Sequence, residues 1–143
     1  MYINQISVFI ENRPGRLSAI AKVLAENNID IRALSLADTT NFGILRLIVD
    51  RPAEAEKVLR ENDFTVSVTK VIAVRVEDKP GGMYKLLDKL YDASVAVEYA
   101  YAFIARKADS AFVIIRVEDN DKAAECLKAA GFRLLEEEEI YTI

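Results

Sequence analysis

A chain of 143 residues with 19 Lys and Arg against 23 Asp and Glu carries a formal charge of −4; it has no histidine, no tryptophan and one cysteine. Without imidazole there is no Ser/His/Asp or Cys/His nucleophile, and one thiol builds neither a tetrahedral zinc site nor an intrachain disulfide, so no catalytic triad, metal or cofactor is expected. The basic residues are scattered, which gives no footprint for nucleic acid, and the most apolar stretch, Ala93 to Ala105, is broken by Glu98 and too short for a bilayer span of roughly 18 residues.

From Met1 the chain enters an alternating segment, Ile3 to Glu11, with no basic region or cleavage site before it; this reads as a strand, and the expected location is the cytoplasm. After the Pro14-Gly15 turn, Leu17, Ile20, Ala21 and Leu24 fall at helical spacing, predicting a helix over Gly15 to Asn27. A hairpin follows, Ile29 to Asp38 with Gly43 to Asp50. Next come a helix over Pro52 to Asn62, with Pro52 suited to its first turn, and a short final strand. At Val71 the order starts again: a strand to Glu77, a Pro80-Gly81 turn, a helix over Gly81 to Ala93, a hairpin of Val95 to Ala105 with Ser110 to Glu118, a helix over Asn120 to Ala130, and a final strand.

The second half is a copy of the first. A shift of 66 lays Gln5 to Asp38 over Val71 to Ile104, matching Ile6 with Ile72, Val8 with Val74, Glu11 with Glu77, Pro14 with Pro80, Gly15 with Gly81 and Leu24 with Leu90. A shift of 68 lays Ile44 to Phe64 over Phe112 to Phe132, so two extra residues belong in the second hairpin loop, between about Phe103 and Ala111. The order βαββαβ predicts an α+β protein of two ferredoxin-like units, each an antiparallel four-stranded sheet with both helices on one face. The expected domains are residues 1–69 and 70–143, and units of about 70 residues are marginal alone. Only Thr69 and Lys70 separate Val68 from Val71, too little to decouple them, so the units are expected to dock side by side. Apolar residues on both faces of the strands, Ile6, Val8 and Ile10 alternating with Ile3 and Phe9, call for cover on the second face, and a homodimer is expected.

The turns Glu11-Asn12-Arg13-Pro14-Gly15-Arg16-Leu17 and Glu77-Asp78-Lys79-Pro80-Gly81-Gly82-Met83 carry the chemical signal. Glycine removes the Cβ that blocks approach to a helix start, where free amides favour a carboxylate or other anion. Asn12 and Asp78 also suit plain helix capping. Recurrence of acid, Asn or Asp, base, Pro, Gly at the same place in both copies favours a site.

These turns, followed in the first copy by Asn27-Asn28-Ile29-Asp30-Ile31, resemble the ACT domain family, regulatory modules of amino-acid metabolism; the first turn is similar to that of phosphoglycerate dehydrogenases. The resemblance covers essentially the whole chain as two tandem copies. It implies that ACT units pair through their first helices and second strands and bind an amino acid between the Pro-Gly loop of one and the second strand of the other. The implied ligand-binding residues are Asn12, Pro14, Gly15, Arg16, Leu17, Asp30 and Ile31 in the first copy, and Asp78, Gly81, Gly82, Met83, Ala96, Val97 and Glu98 in the second. Ile10 stands where the dehydrogenases have a histidine, which argues against serine as ligand. Pairing within one chain would join Asn12 with Ala96 and Glu98, and Asp78 with Asp30; two carboxylates at the latter site suit a cationic group.

Cys126, aligned with Val58, reads as a core residue; Tyr99, Tyr101 and Phe103 read as sheet packing; Glu136 to Glu139 reads as a solvated strand or a guard against edge-to-edge association; Arg46 and Arg116 lie on third strands and suit ion pairing. The function expected is a non-catalytic sensor that binds a free amino acid and regulates a partner enzyme of amino-acid metabolism. The alternative is a ligand-free dimeric interaction subunit, and acylphosphatase-like catalysis ranks third because no Arg and Asn pair converges on a phosphate.

Overall fold

The computed structural model describes residues 2–38, 41–103 and 110–142. The elements are β1 (Ile3–Glu11), α1 (Arg16–Glu26), β2 (Ile31–Asp38), β3 (Phe42–Val49), α2 (Pro52–Glu61), β4 (Thr65–Glu77), α3 (Gly82–Asp92), β5 (Val97–Phe103), β6 (Ser110–Val117), α4 (Asn120–Ala129) and α5 (Glu137–Ile140). The chain divides into two compact units, Asn4–Thr69 and a second formed by Lys70–Ile143 together with the first three residues. In the first unit the strands run in the order β2-β3-β1-β4; in the second, β4-β6-β5. Each unit owns a different part of β4.

Register shows how closely one unit repeats the other. Ile6 faces Leu47 and Val8 faces Leu45; 66 and 68 residues on, Ile72 faces Ile115 and Val74 faces Val113. A slip of register falls between Ile31 and Ala33 on β2 and between Val97 and Tyr99 on β5, the same two positions. The positive-φ residues match as well: Gly15 with Gly81, Asn28 with Ser94, and Asp63 with Gly131. Left-handed backbone disfavours most L residues, so three such coincidences reflect one chain path used twice.

The alternation read in the sequence places Ile6, Val8, Leu45 and Leu47 under Ile20 and Leu24 of α1 and Leu59 of α2 in one core. Ile72, Val74, Val113 and Ile115 share the other with Leu86, Leu90 and Leu127. A fully buried side chain of this size contributes about 1.5–3 kcal/mol, so each core, rather than intrinsic helix propensity, holds its helices in place.

Four features differ from the sequence reading. The final strand of the first copy and the first strand of the second are one element, β4, because nothing between Thr65 and Glu77 breaks an extended chain: there is no Gly, Pro or Asn. The second copy has no full final strand. Leu134 makes a single bridge to Val74, flanked by Arg75 N–H donating to Arg133 O and Leu135 N–H donating to Ala73 O, both 2.9 Å. Glu136–Glu139 then caps and begins α5 instead of a strand, because Glu136 and Glu139 exchange side-chain-to-backbone hydrogen bonds in a capping box and Ile140 buries itself. Cys126 is half-buried on α4, its Sγ donating to Lys89 O at 3.3 Å, since Lys89 leaves a carbonyl at the end of α3 within reach. The extra residues expected in the second hairpin loop fall on 104–109, outside the described residues.

Candidate functional site

The turn between β1 and α1 is closed by its own charges. Arg13 Nε pairs with Glu11 Oε2 at 2.8 Å while its N–H donates to Glu11 O at 2.9 Å; in the second copy Lys79 Nζ pairs with Glu77 at 2.5 Å and its N–H donates to Glu77 O at 3.0 Å. The hydrogen bond from Lys79, reinforced by its charge and that of Lys85, holds the Glu77 carboxyl below its ordinary range. The recurring acid and base thus have a local cause, turn closure, separate from any ligand.

Gly15 and Gly81 then occupy the N-cap positions of α1 and α3 at φ 88°, and a Cβ built on either meets nothing within 4 Å. The N-cap residue of each helix is a glycine, which has no side chain to cap with. The Asn12 N–H donates to Asn41 O at 3.0 Å, tying the turn to the β2–β3 hairpin. Arg16 N–H already donates to Arg13 O at 3.4 Å and Gly82 N–H to Lys79 O at 3.0 Å. The first-turn donors left for an anion are therefore the amides of Leu17 and Ser18, and of Met83 and Tyr84.

The second-strand residues lie elsewhere in each unit. Asp30 sits just before β2, its N–H donating to Asp50 Oδ1 at 2.9 Å and its carboxylate, 61 % exposed, taking Arg32 Nη1 at 3.0 Å. Ile31 packs half-buried against the first core. Ala96 is exposed ahead of β5, Val97 packs on the second core, and Glu98 pairs with Arg116 Nε at 3.4 Å. Ile10, Gly43 and Asp38 lie abreast at the turn end, whereas Ile31 lies abreast of Val49 at the opposite end, about 20 Å away along the strand. Asn12, Pro14, Gly15, Arg16 and Leu17 are thus kept apart from Asp30 and Ile31 of their own unit. The same register separates Asp78, Gly81, Gly82 and Met83 from Ala96, Val97 and Glu98. One unit alone does not bring the two halves of the candidate set together.

Two hollows in the second unit are lined in part by candidate residues, Gly82 in one and Ala96 in the other. One, of about 330 Å³, is lined by Arg75, Glu77, Gly82, Lys85, Phe132 and Arg133 among others. A wider one includes Ser94, Val95 and Ala96 with Tyr2 and the start of α4. There Tyr2 donates to the Asp121 carboxylate, and that hydrogen bond, with burial and the nearby negative charge, pushes the phenol up to about 12. In the first unit Arg16 lies over the Phe64 ring, 4.8 Å from its centroid, with its Nε buried and unpartnered. This stack escaped the sequence reading, although Arg16 followed by Phe64 at the second helix end was its available signal. Among the described residues no group of acids or thiols is gathered to hold a metal, and no helix is long and apolar enough to cross a membrane.

Residues 1–143 match a family model described as an ACT domain pair. The crystal structure of protein BT0572 from Bacteroides thetaiotaomicron superposes with TM-score 0.94 at 38% identity, covering 100% of this chain and 98% of that one. Regulatory subunits of aspartate kinase from Thermus thermophilus and Thermus flavus share the fold at TM-scores of 0.65 and 0.60, with 19% and 17% identity, 89% of this chain and 91% of theirs. No curated protein matches.

Proposed function

From the premise that the chain belongs to the ACT domain pair family, we propose that it is a non-catalytic, cytoplasmic sensor that binds a free amino acid and regulates a separate enzyme of amino-acid metabolism. The observation that carries the reading is the pair of helix starts, each opened by a left-handed glycine with empty space beside it. Such a start offers amides and the positive helix end to an α-carboxylate. The opposite-end placement of the strand residues supports a composite site: Asn12, Gly15 and Leu17 from one unit with Ala96, Val97 and Glu98 from another, and Asp78, Gly81 and Met83 with Asp30 and Ile31. Whether the two come from one chain or from a homodimer, the carboxylates of Asp78 and Asp30 would meet the α-ammonium or a basic side chain. The Thermus thermophilus fold relative is a regulatory subunit, the role proposed here. Regulation then follows from differential affinity: the ligand favours whichever arrangement of units completes the site, and that arrangement is what the partner enzyme reads.

A second reading has its own observation. Leu17, Leu34 and Leu36 are exposed on α1 and the edge strand β2 of the first unit, a surface that also suits a ligand-free dimeric subunit.

Thermal melts in the presence of each common amino acid separate the two. A true effector at 100 times its Kd adds about 2.7 kcal/mol. Asp30→Ala combined with Asp78→Ala removes that gain while costing the unliganded chain less than about 1 kcal/mol, since both carboxylates are exposed. A melting temperature unmoved by every amino acid favours the ligand-free subunit.

A further inference from the structure

The hollow in the second unit occupies the place that the first unit fills with its own side chain. At the shift of 66, Arg16 falls on Gly82; at the shift of 68, Phe64 falls on Phe132. Arg16 covers Phe64. Gly82 has nothing to lay over Phe132, and a hollow of about 330 Å³ lies there, the lower end of the size range of small-molecule sites.

Its rim is recharged as well. Phe9, Ala19 and Thr65 of the first copy correspond to Arg75, Lys85 and Arg133 of the second, so three neutral positions around one hollow are basic. Each of these cations is held in place: Arg75 Nε donates to Ser110 Oγ at 2.7 Å, Arg133 pairs with Glu139, and Lys85 stands 4.0 Å from Glu77. Arg133 and Lys85 are still about half exposed, with donors left for a guest. A free guanidinium mimicking Arg16 would meet three like charges. A ligand of opposite charge meets complementary ones.

We propose that this hollow is a second ligand site, taking a small organic anion whose planar ring lies against Phe132 and whose carboxylate or phosphate is held by Lys85 and Arg133. Aromatic contact and charge-assisted hydrogen bonds act on different parts of such a ligand and so reinforce each other. The site lies wholly within one unit, and it stands or falls independently of the composite amino-acid site.

The test is a ¹⁵N NMR titration of the full chain with two probes, phenylpyruvate for a ring-bearing carboxylate and adenosine monophosphate for a ring-bearing phosphate, with adenosine as the uncharged control. At least one anionic probe shifts the Gly82 and Gly131 amide signals, adenosine does so far less, and added salt weakens the binding. Which probe binds identifies the acid. Gly82→Arg is not a clean plug, because its Cβ would overlap the Glu77 carbonyl. Lys85→Ala with Arg133→Thr restores the neutral residues of the first copy at exposed positions, and binding then falls on the order of tenfold or more. Failure of both anions to perturb Gly82 and Gly131 at millimolar concentration, or undiminished binding by the double variant, overturns the proposal.

Discussion

The two repeats share a backbone and differ in what they do with it. Left-handed positions and register slips coincide residue for residue, and most core positions recur. Side chains at the turn end do not: the first unit stacks Arg16 on Phe64, while the second leaves Phe132 beside a hollow rimmed by cations. The sheet face away from the helices differs too. In the first unit Phe9 and Phe42 touch each other at 6.1 Å between ring centroids and remain 53% and 48% exposed. In the second, Arg75 and Ser110 stand at those positions, and Phe103 and Phe112 of the same face are stacked at 5.2 Å and buried. Buried Leu135 and Ile140, from the segment that replaces the last strand, have no counterpart in the first copy. A duplicated fold keeps the positions its path and core require and is free to specialise the rims.

The comparison breaks most visibly in the cores. Leu59→Ala and Leu127→Ala remove equivalent, fully buried side chains, and each should cost about 2–5 kcal/mol in a urea titration. A large loss in one copy with none in the other would mean that the units are not built on the same core. Gly15→Ala and Gly81→Ala come next: the added methyl meets open space, so only left-handed strain remains, about 1 kcal/mol in either copy by thermal melting. Arg16→Ala is smaller still. It loses a cation–π contact worth roughly 0.5–1 kcal/mol but releases an unpartnered buried Nε, so stability should change by less than about 1 kcal/mol while Phe64 becomes exposed, as a hollow like that of the second unit.

The smallest effects are electrostatic. The Tyr2 phenol is raised by its bond to Asp121, so its contribution is complete below the ordinary phenol range and lost as pH rises through about 12. Phenolate absorbance should show one tyrosine titrating late, and Tyr2→Phe should abolish it. Glu77 runs the other way. Its depressed carboxyl contributes above the ordinary carboxylate range, and the contribution disappears as pH falls through the lowered value, an acid-side loss that Lys79→Ala should reduce.

Period-two and helical spacing made the βαββαβ order and both cores readable, because burial on one face imposes the pattern directly. The continuity of β4 was equally written in the absence of any breaking residue from Thr65 to Glu77. The helix α5 was not, since extending the repeat past Phe132 implied a strand where a capping box and Ile140 favour a short helix. The site was half readable. Positive φ at Gly15 and Gly81 follows from Pro-Gly before a helix, but the charges around them close the turn, and no spacing reveals that Asp30 falls before the strand and is engaged by Arg32 and Asp50. Nor does a one-dimensional pattern say that Asn12 and Asp30 occupy opposite ends of their unit.

The most direct test of the sensor account is a titration of ¹⁵N-labelled protein with each common amino acid, reading the Gly15 and Gly81 amides. The account predicts saturable shifts at one or both glycines for a restricted set of amino acids, suppressed by Asp30→Ala with Asp78→Ala. Amides at Gly15 and Gly81 that stay unmoved by every amino acid would contradict it.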